Sequence, residues 1–209
     1  MSLLQEFCAP HELPLDEEKE AKLNRYLDLL LQFNESMNLI GPMGRVEAME
    51  TLIVDSLVAA VARPPKGPIL DVGTGAGLPG IPLKILYPEQ PIDLVEPRQK
   101  RSNFLKIASH RLGLSDVGVH RLRIEDFHGE GYDFVISKAF EAPEKWLATA
   151  RPRLASGGAV MVMGRRHDLP LLKERATSLK LHQVGIAETP RSTKEENGED
   201  RIVYAFSAL

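Results

Sequence analysis

The sequence predicts a Rossmann-like α/β fold, a mainly parallel sheet flanked by helices and preceded by a helical extension. Three observations carry this. From residue 69 onward, short apolar runs alternate with helical stretches, which is the rhythm of β-α-β units around a parallel sheet. The first of these runs opens directly into a glycine-rich loop. The residues before it show helical periodicity only. On this reading residues 1–64 form a helical extension packed on the core, and residues 65–209 form the ligand-binding domain.

Taken in order, Leu23, Tyr26, Leu27, Leu30 and Phe33, continuing to Met37, recur at spacings of three and four with charged residues between them, predicting an amphipathic helix over residues 16–34. A second helix is expected over residues 46–61, with Leu52, Leu57 and Val58 facing inward, and it must stop before Pro64-Pro65. Strands are expected at 69–70, 92–95, 117–122, 134–136 and, after the Ser156-Gly157-Gly158 turn, 159–163. Residues 181–187 and 202–206 read as a closing antiparallel pair, which makes a seven-stranded sheet. Between them, residues 191–201 are polar, charged and glycine-containing, and a mobile loop is expected there.

Hydrophobic residues make up 43% and charged residues 26%, so neither disorder nor a fibrous repeat is indicated. One cysteine, Cys8, excludes an intramolecular disulfide and a cysteine-rich zinc site and suits a reducing cytosol. No secretory signal and no membrane-length apolar run is seen, so a cytoplasmic monomer with no membrane partner is expected. The six histidines show neither i, i+4 pairing nor H-E-x-x-H, so no metal is expected, and the lack of a G-x-S-x-G elbow removes support for hydrolase chemistry. A net charge of −3 neither argues for nor excludes a nucleic-acid partner, because binding depends on a local basic face.

The run from Asp71 to Gly80, after a strand and before a helix, is the candidate cofactor loop. Gly75, Gly77 and Gly80 spell G-x-G-x-x-G, so a dinucleotide has to be weighed. Acidic positions shift the balance. Asp71 stands at the strand end, where a carboxylate suits the cationic methionyl end of S-adenosylmethionine, directly or through water, and repels a pyrophosphate. Glu96, ending the next strand, can accept from both ribose hydroxyls, as in NAD enzymes. After the third strand, Ile124 can cover an adenine face, and Glu125 or Asp126 can receive its amino group. A phosphate loop needs Lys and Ser or Thr after Gly80, but Ile81-Pro82 stand there.

Ser137-Lys138-Ala139-Phe140 follows the fourth strand, at the end that faces the ligand crevice in open α/β sheets, so Lys138 is a candidate contact to cofactor or substrate. Arg98, Lys100, Arg101, Lys106, His110 and Arg111, then Arg121, Arg123, Arg151, Arg153, Arg165 and Arg166, would form a phosphate-binding rim if the loops gather some of them; otherwise they are solvated helix faces.

The stretch from Asp71 through Gly80 into Ile81-Pro82-Leu83 resembles the RsmG (GidB) family of 16S ribosomal RNA methyltransferases. Further matches are Asn38-Leu39, Asp55-Ser56-Leu57, Lys100-Arg101 with Phe104-Leu105, the run from Arg123 to Phe127, and Ser137-Lys138-Ala139-Phe140. The resemblance implies the class I S-adenosylmethionine-dependent methyltransferase fold and methyl transfer to N7 of a guanosine in 16S rRNA or the small subunit, guanosine 527 in the decoding region. It implies cofactor contacts at Gly73, Leu78, Ile124, Glu125 and Lys138, with Lys138 also positioning substrate. The family pattern has an Arg-His pair where Thr51-Leu52 stand here, arginine at Lys138 and lysine at Met163. Two other readings are a methyltransferase of this fold acting on a different RNA or small molecule, and a non-catalytic module that binds S-adenosylmethionine or rRNA.

Overall fold

A seven-stranded sheet with order β3-β2-β1-β4-β5-β7-β6 organises the chain. The structure, a computed structural model, describes residues 1–189 and 201–208. The expected loop at 191–201 therefore lies outside the described residues except for Arg201, which opens the last strand.

The extension contributes α1 (Leu3–Cys8), α2 (Glu17–Met37), α3 (Arg45–Ala48) and α4 (Asp55–Ala62). Asp16 caps α2 by accepting from the Lys19 N–H at 2.8 Å. The helix runs three residues past the expected end and stops where Asn38 takes a left-handed φ of 52°. The second expected helix is not uniform. Between α3 and α4, residues Met49–Val54 wind as a π-helix, with the Thr51 hydroxyl donating to the Glu47 carbonyl at 2.7 Å.

The remaining elements alternate: β1 (Ile69–Val72), α5 (Gly80–Leu86), β2 (Ile92–Val95), α6 (Gln99–Arg111), β3 (Val117–His120), β4 (Tyr132–Ile136), α7 (Pro143–Ala150), β5 (Leu154–Arg165), α8 (Leu169–Ser178), β6 (Leu181–Glu188) and β7 (Arg201–Ala208). β3 ends at His120 rather than residue 122 because its neighbour β2 ends at Val95, the partner of His120. β5 is longer than expected at both ends: its pairing with β4 already begins at Leu154 opposite Tyr132, so the expected Ser156-Gly157-Gly158 turn falls within the strand, and its pairing with β7 continues to Arg165 opposite Arg201. β7 is antiparallel to both β5 and β6, so the expected closing pair is present, with β7 inserted as the inner member.

Strand alternation divides the core into two layers. Ile69, Ile92, Leu94, Phe134, Ile136, Val203 and Ala205 face helices α2, α4, α5 and α6 in one cluster. Leu70, Val72, Val135, Val160, Tyr204 and Phe206 face α7 and α8 in the other. Chain order reverses between β1 and β4, so the crevice at the C-terminal ends of those two strands is where an open α/β sheet receives a ligand.

Candidate functional site

The loop after β1 is built by glycines in conformations that side chains disfavour. Gly73, Gly75 and Gly77 have φ of 66°, 61° and 97°, and a Cβ on Gly77 would sit 2.5 Å from Ile81. Gly80 is needed for a different reason: a Cβ there would meet Leu94 at 2.5 Å and the Asp71 carboxylate at 2.7 Å, closing the contact between α5 and the sheet. Gly73 and Thr74 N–H groups both donate to the Val95 carbonyl, at 2.8 and 3.2 Å, which pins the loop to the end of β2. In α5, Pro82 falls within the first turn, where its missing N–H removes no intrahelical bond.

Asp71 lies on the same face of β1 as Ile69, beneath this loop and fully buried. Its Oδ2 accepts from the Thr74 hydroxyl at 2.6 Å and from the Gly80 N–H at 2.8 Å, so the carboxylate fastens the loop to the start of α5. Its Oδ1 is buried and has no hydrogen-bond partner among the described residues. Burial pushes the Asp71 carboxyl up to about 7 against the two hydrogen bonds, with Glu96 raising it further and Lys138 lowering it.

Glu96 is 3% exposed at the end of β2. Its Oε2 accepts from the Gly75 N–H at 3.1 Å and lies 3.8 Å from the Arg101 guanidinium, while its Oε1 accepts from the Arg98 N–H at 2.8 Å. A carboxylate has about four lone-pair sites, so capacity is left for a ribose. Past β3, Ile124 is 5% exposed and its carbonyl accepts from Arg153 at 3.3 Å, whereas Glu125 is exposed. Leu78 is 8% exposed within the loop.

Lys138 follows β4, but its ammonium does not extend into solvent. It donates to the Thr51 carbonyl of the π-helical segment at 3.0 Å and pairs with Asp55 at the start of α4. The two side chains are 20% and 6% exposed. This cation ties the end of the central strand to the helical extension.

A second tie was not anticipated. Tyr26, read from sequence as one member of the α2 stripe, donates its hydroxyl to the Ala76 carbonyl inside the glycine loop at 2.8 Å. It is fully buried, and a single hydroxyl within an otherwise apolar stripe was the available signal.

The basic residues divide by position. Arg98, Lys100, Arg121, Arg123, Arg165 and Arg166 follow the C-terminal ends of β2, β3 and β5, on the ligand edge, and are exposed. Arg166 pairs with Glu188. Arg111 stacks over Phe33 at 5.6 Å on α2, and Arg151 bonds the Leu179 carbonyl, so these two serve packing. Among the described residues no group of three or more His, Cys, Asp or Glu side chains could hold a metal, and no helix is long and apolar enough to cross a membrane.

The family described as rRNA small subunit methyltransferase G, GidB, matches residues 19–200 of this chain. A ribosomal RNA small subunit methyltransferase G from Wolinella succinogenes is 38% identical over 161 residues, covering 77% of this chain and 83% of that protein. One of the same name from Psychrobacter cryohalolentis is also 38% identical, over 151 residues; the match covers 72% of this chain and 63% of that longer protein. Among solved structures, a SAM-dependent methyltransferase from Aquifex aeolicus superposes with a TM-score of 0.57 at 14% identity, covering 77% of this chain and 92% of that one, a likeness of fold.

Proposed function

The chain belongs to the GidB family of rRNA small subunit methyltransferases G, and from that premise we propose that it transfers a methyl group from S-adenosylmethionine to N7 of a guanosine in 16S rRNA, guanosine 527 by family resemblance. It is an S-adenosylmethionine-dependent methyltransferase. The reading implies a monomer acting in the cytoplasm on 16S rRNA or the small subunit.

The observation that carries it is the cradle at the strand-order reversal. Three left-handed glycines stand over a buried carboxylate with one unpartnered oxygen, and a second buried carboxylate, Glu96, closes the β2 side. Two acids with no free lysine in the loop favour an adenosyl group with a cationic tail over a diphosphate. Gly73, Gly75, Gly77 and Leu78 would line the cofactor, with Asp71 supporting its charged end, Glu96 its ribose and Ile124 with Glu125 its adenine; Lys138 would set the position of cofactor and substrate from the β4 side. When bound, S-adenosylmethionine supplies an electrophilic methyl on a sulfonium.

Guanine N7 presents an in-plane lone pair, so the protein needs no general base. Its work is to hold donor and acceptor in line, worth up to roughly 7–11 kcal/mol when the alignment is good, and to accommodate the positive charge that moves onto the base. The exposed arginines on the ligand edge suit the RNA backbone.

The test is methyl transfer from labelled S-adenosylmethionine to purified small subunits and to naked 16S RNA, with mapping of the modified base and Glu96→Ala as control. Label at a guanine N7 that falls at least tenfold in the control is expected. Transfer to another atom or to no RNA, with S-adenosylhomocysteine still bound, would sink the assignment.

A further inference from the structure

We propose that Phe140 and Glu141 form the seat of the acceptor base, Phe140 as the stacking surface and Glu141 as the group that reads the guanine edge. The inference rests on the guanine-methylating reading above and deepens it.

The β4–α7 connection makes a sharp turn at Ala139, which has a left-handed φ of 54°, a conformation few non-glycine residues adopt. The turn lays the next side chain against the cofactor loop. Phe140 packs so closely on Gly73 that a Cβ there would lie 2.6 Å from its Cδ2. On another side the ring meets Trp146 edge-on, with centroids 6.0 Å apart and planes at 75°. Trp146 is itself fixed, 2% exposed and donating its Nε1–H to the Met161 carbonyl at 2.9 Å. A phenylalanine clamped by two neighbours would ordinarily be buried, yet Phe140 is 40% exposed. A rigid aromatic surface thus stands open beside the glycine cradle.

Glu141 supplies an independent observation. Its Oε1 is buried and has no hydrogen-bond partner among the described residues. A buried carboxylate oxygen without a donor is costly to maintain, which points to a donor that arrives with a ligand. The Watson–Crick edge of guanine offers N1–H and N2–H side by side, and a carboxylate with two acceptor oxygens matches both; adenine presents an acceptor at N1 and does not. An aromatic face with a carboxylate on the following residue also suits the base after transfer. Bases reached by enzymes are read unstacked, and once N7 carries the methyl the ring is cationic, which strengthens both stacking and ion pairing.

Two readouts test the seat. In methyl transfer to small subunits, Phe140→Ala is expected to lower kcat/KM for RNA tenfold or more while the Kd for S-adenosylhomocysteine changes less than twofold, and Phe140→Tyr to restore the rate. In calorimetric titration with S-adenosylhomocysteine present, 7-methylguanosine 5′-monophosphate is expected to bind more tightly than adenosine 5′-monophosphate, with the preference lost in Glu141→Gln. If Phe140→Ala weakens S-adenosylhomocysteine as much as it slows transfer, the ring belongs to the cofactor seat and the proposal falls. It falls equally if neither variant alters transfer or nucleotide preference. The titration needs no turnover: guanine binding through Phe140 in a protein that methylates no guanine supports the seat while removing the transfer reading, and transfer indifferent to both residues does the reverse.

Discussion

Asp71 shows how a single buried carboxylate fastens a loop and still keeps one oxygen without a partner among the described residues. Read from the sequence, its place at the strand end suits the cofactor's cationic end, directly or through water. The fold gives its Oδ2 to Thr74 and Gly80 and leaves Oδ1 without a partner. Strand alternation sets this placement, because Asp71 shares the face of Ile69 and lies under the loop. Its carboxyl is raised from 3.8 to about 7, chiefly by burial, with Glu96 and Lys138 acting in opposite directions. Between those values the native state retains a proton that the unfolded chain has released, so this group's contribution is fully present below about pH 4 and is lost as pH rises through 7. Each pH unit inside that window corresponds to about 1.4 kcal/mol at most. Asp71→Asn removes the titration and keeps an acceptor for Gly80. Denaturant unfolding at pH 5 and pH 8 should show the wild type losing more stability than the variant over that interval. A variant that tracks the wild type across it would show that Asp71 titrates elsewhere.

At the scale of elements, the least expected feature is the π-helical segment Met49–Val54 and the cation it receives. The glycine loop and strands β1, β2 and β4 were legible because their demands are local. Positive φ admits glycine with little cost, and parallel strands buried on both faces leave continuous apolar runs. The π segment was not legible, since a helix and a helix with one widened turn share the same apolar periodicity. The Lys138 partner was hidden for another reason: Thr51 stands 87 residues away, and no pattern in one sequence links them. The pair carries a testable consequence. Lys138→Met leaves the Asp55 carboxylate, 6% exposed, without its cation and should cost about 3–5 kcal/mol. The double variant Asp55→Asn, Lys138→Met removes both charges and should recover most of that loss. Chemical denaturation of the three proteins checks this; a single variant within about 1 kcal/mol of wild type would mean that the pair is hydrated and energetically slight.

For the whole molecule, the division at residue 64 follows the change in sequence rhythm but not the core. One apolar cluster takes Leu23, Leu27, Leu30, Leu57 and Val58 from the extension together with Ile69, Leu94, Phe134 and Val203 from the sheet. Each of those extension side chains is fully buried, contributing roughly 1.5–3 kcal/mol by removal from water. Close backbone contact adds to this: a Cβ on Gly185 of β6 would lie 1.9 Å from the Ala62 carbonyl at the end of α4. Polar ties cross the same boundary. Arg63 grips the Asp133 carboxylate at 2.7 and 3.1 Å, Tyr26 holds the Ala76 carbonyl, and Lys138 reaches back to Asp55. The extension therefore acts as one wall of the domain and the support of the glycine loop. Deleting residues 1–64 would bare the part of one sheet face that α2 and α4 cover and leave Asp133 without its guanidinium partner, with only the Lys66 N–H still donating to it. The truncated chain should lack a cooperative unfolding transition and bind no S-adenosylhomocysteine in calorimetry, and adding the missing segment as a separate chain should restore binding if the two associate. A truncated chain that unfolds cooperatively and binds the ligand with unchanged affinity would establish the sheet with α5 to α8 as a self-sufficient unit and remove the support role from Tyr26.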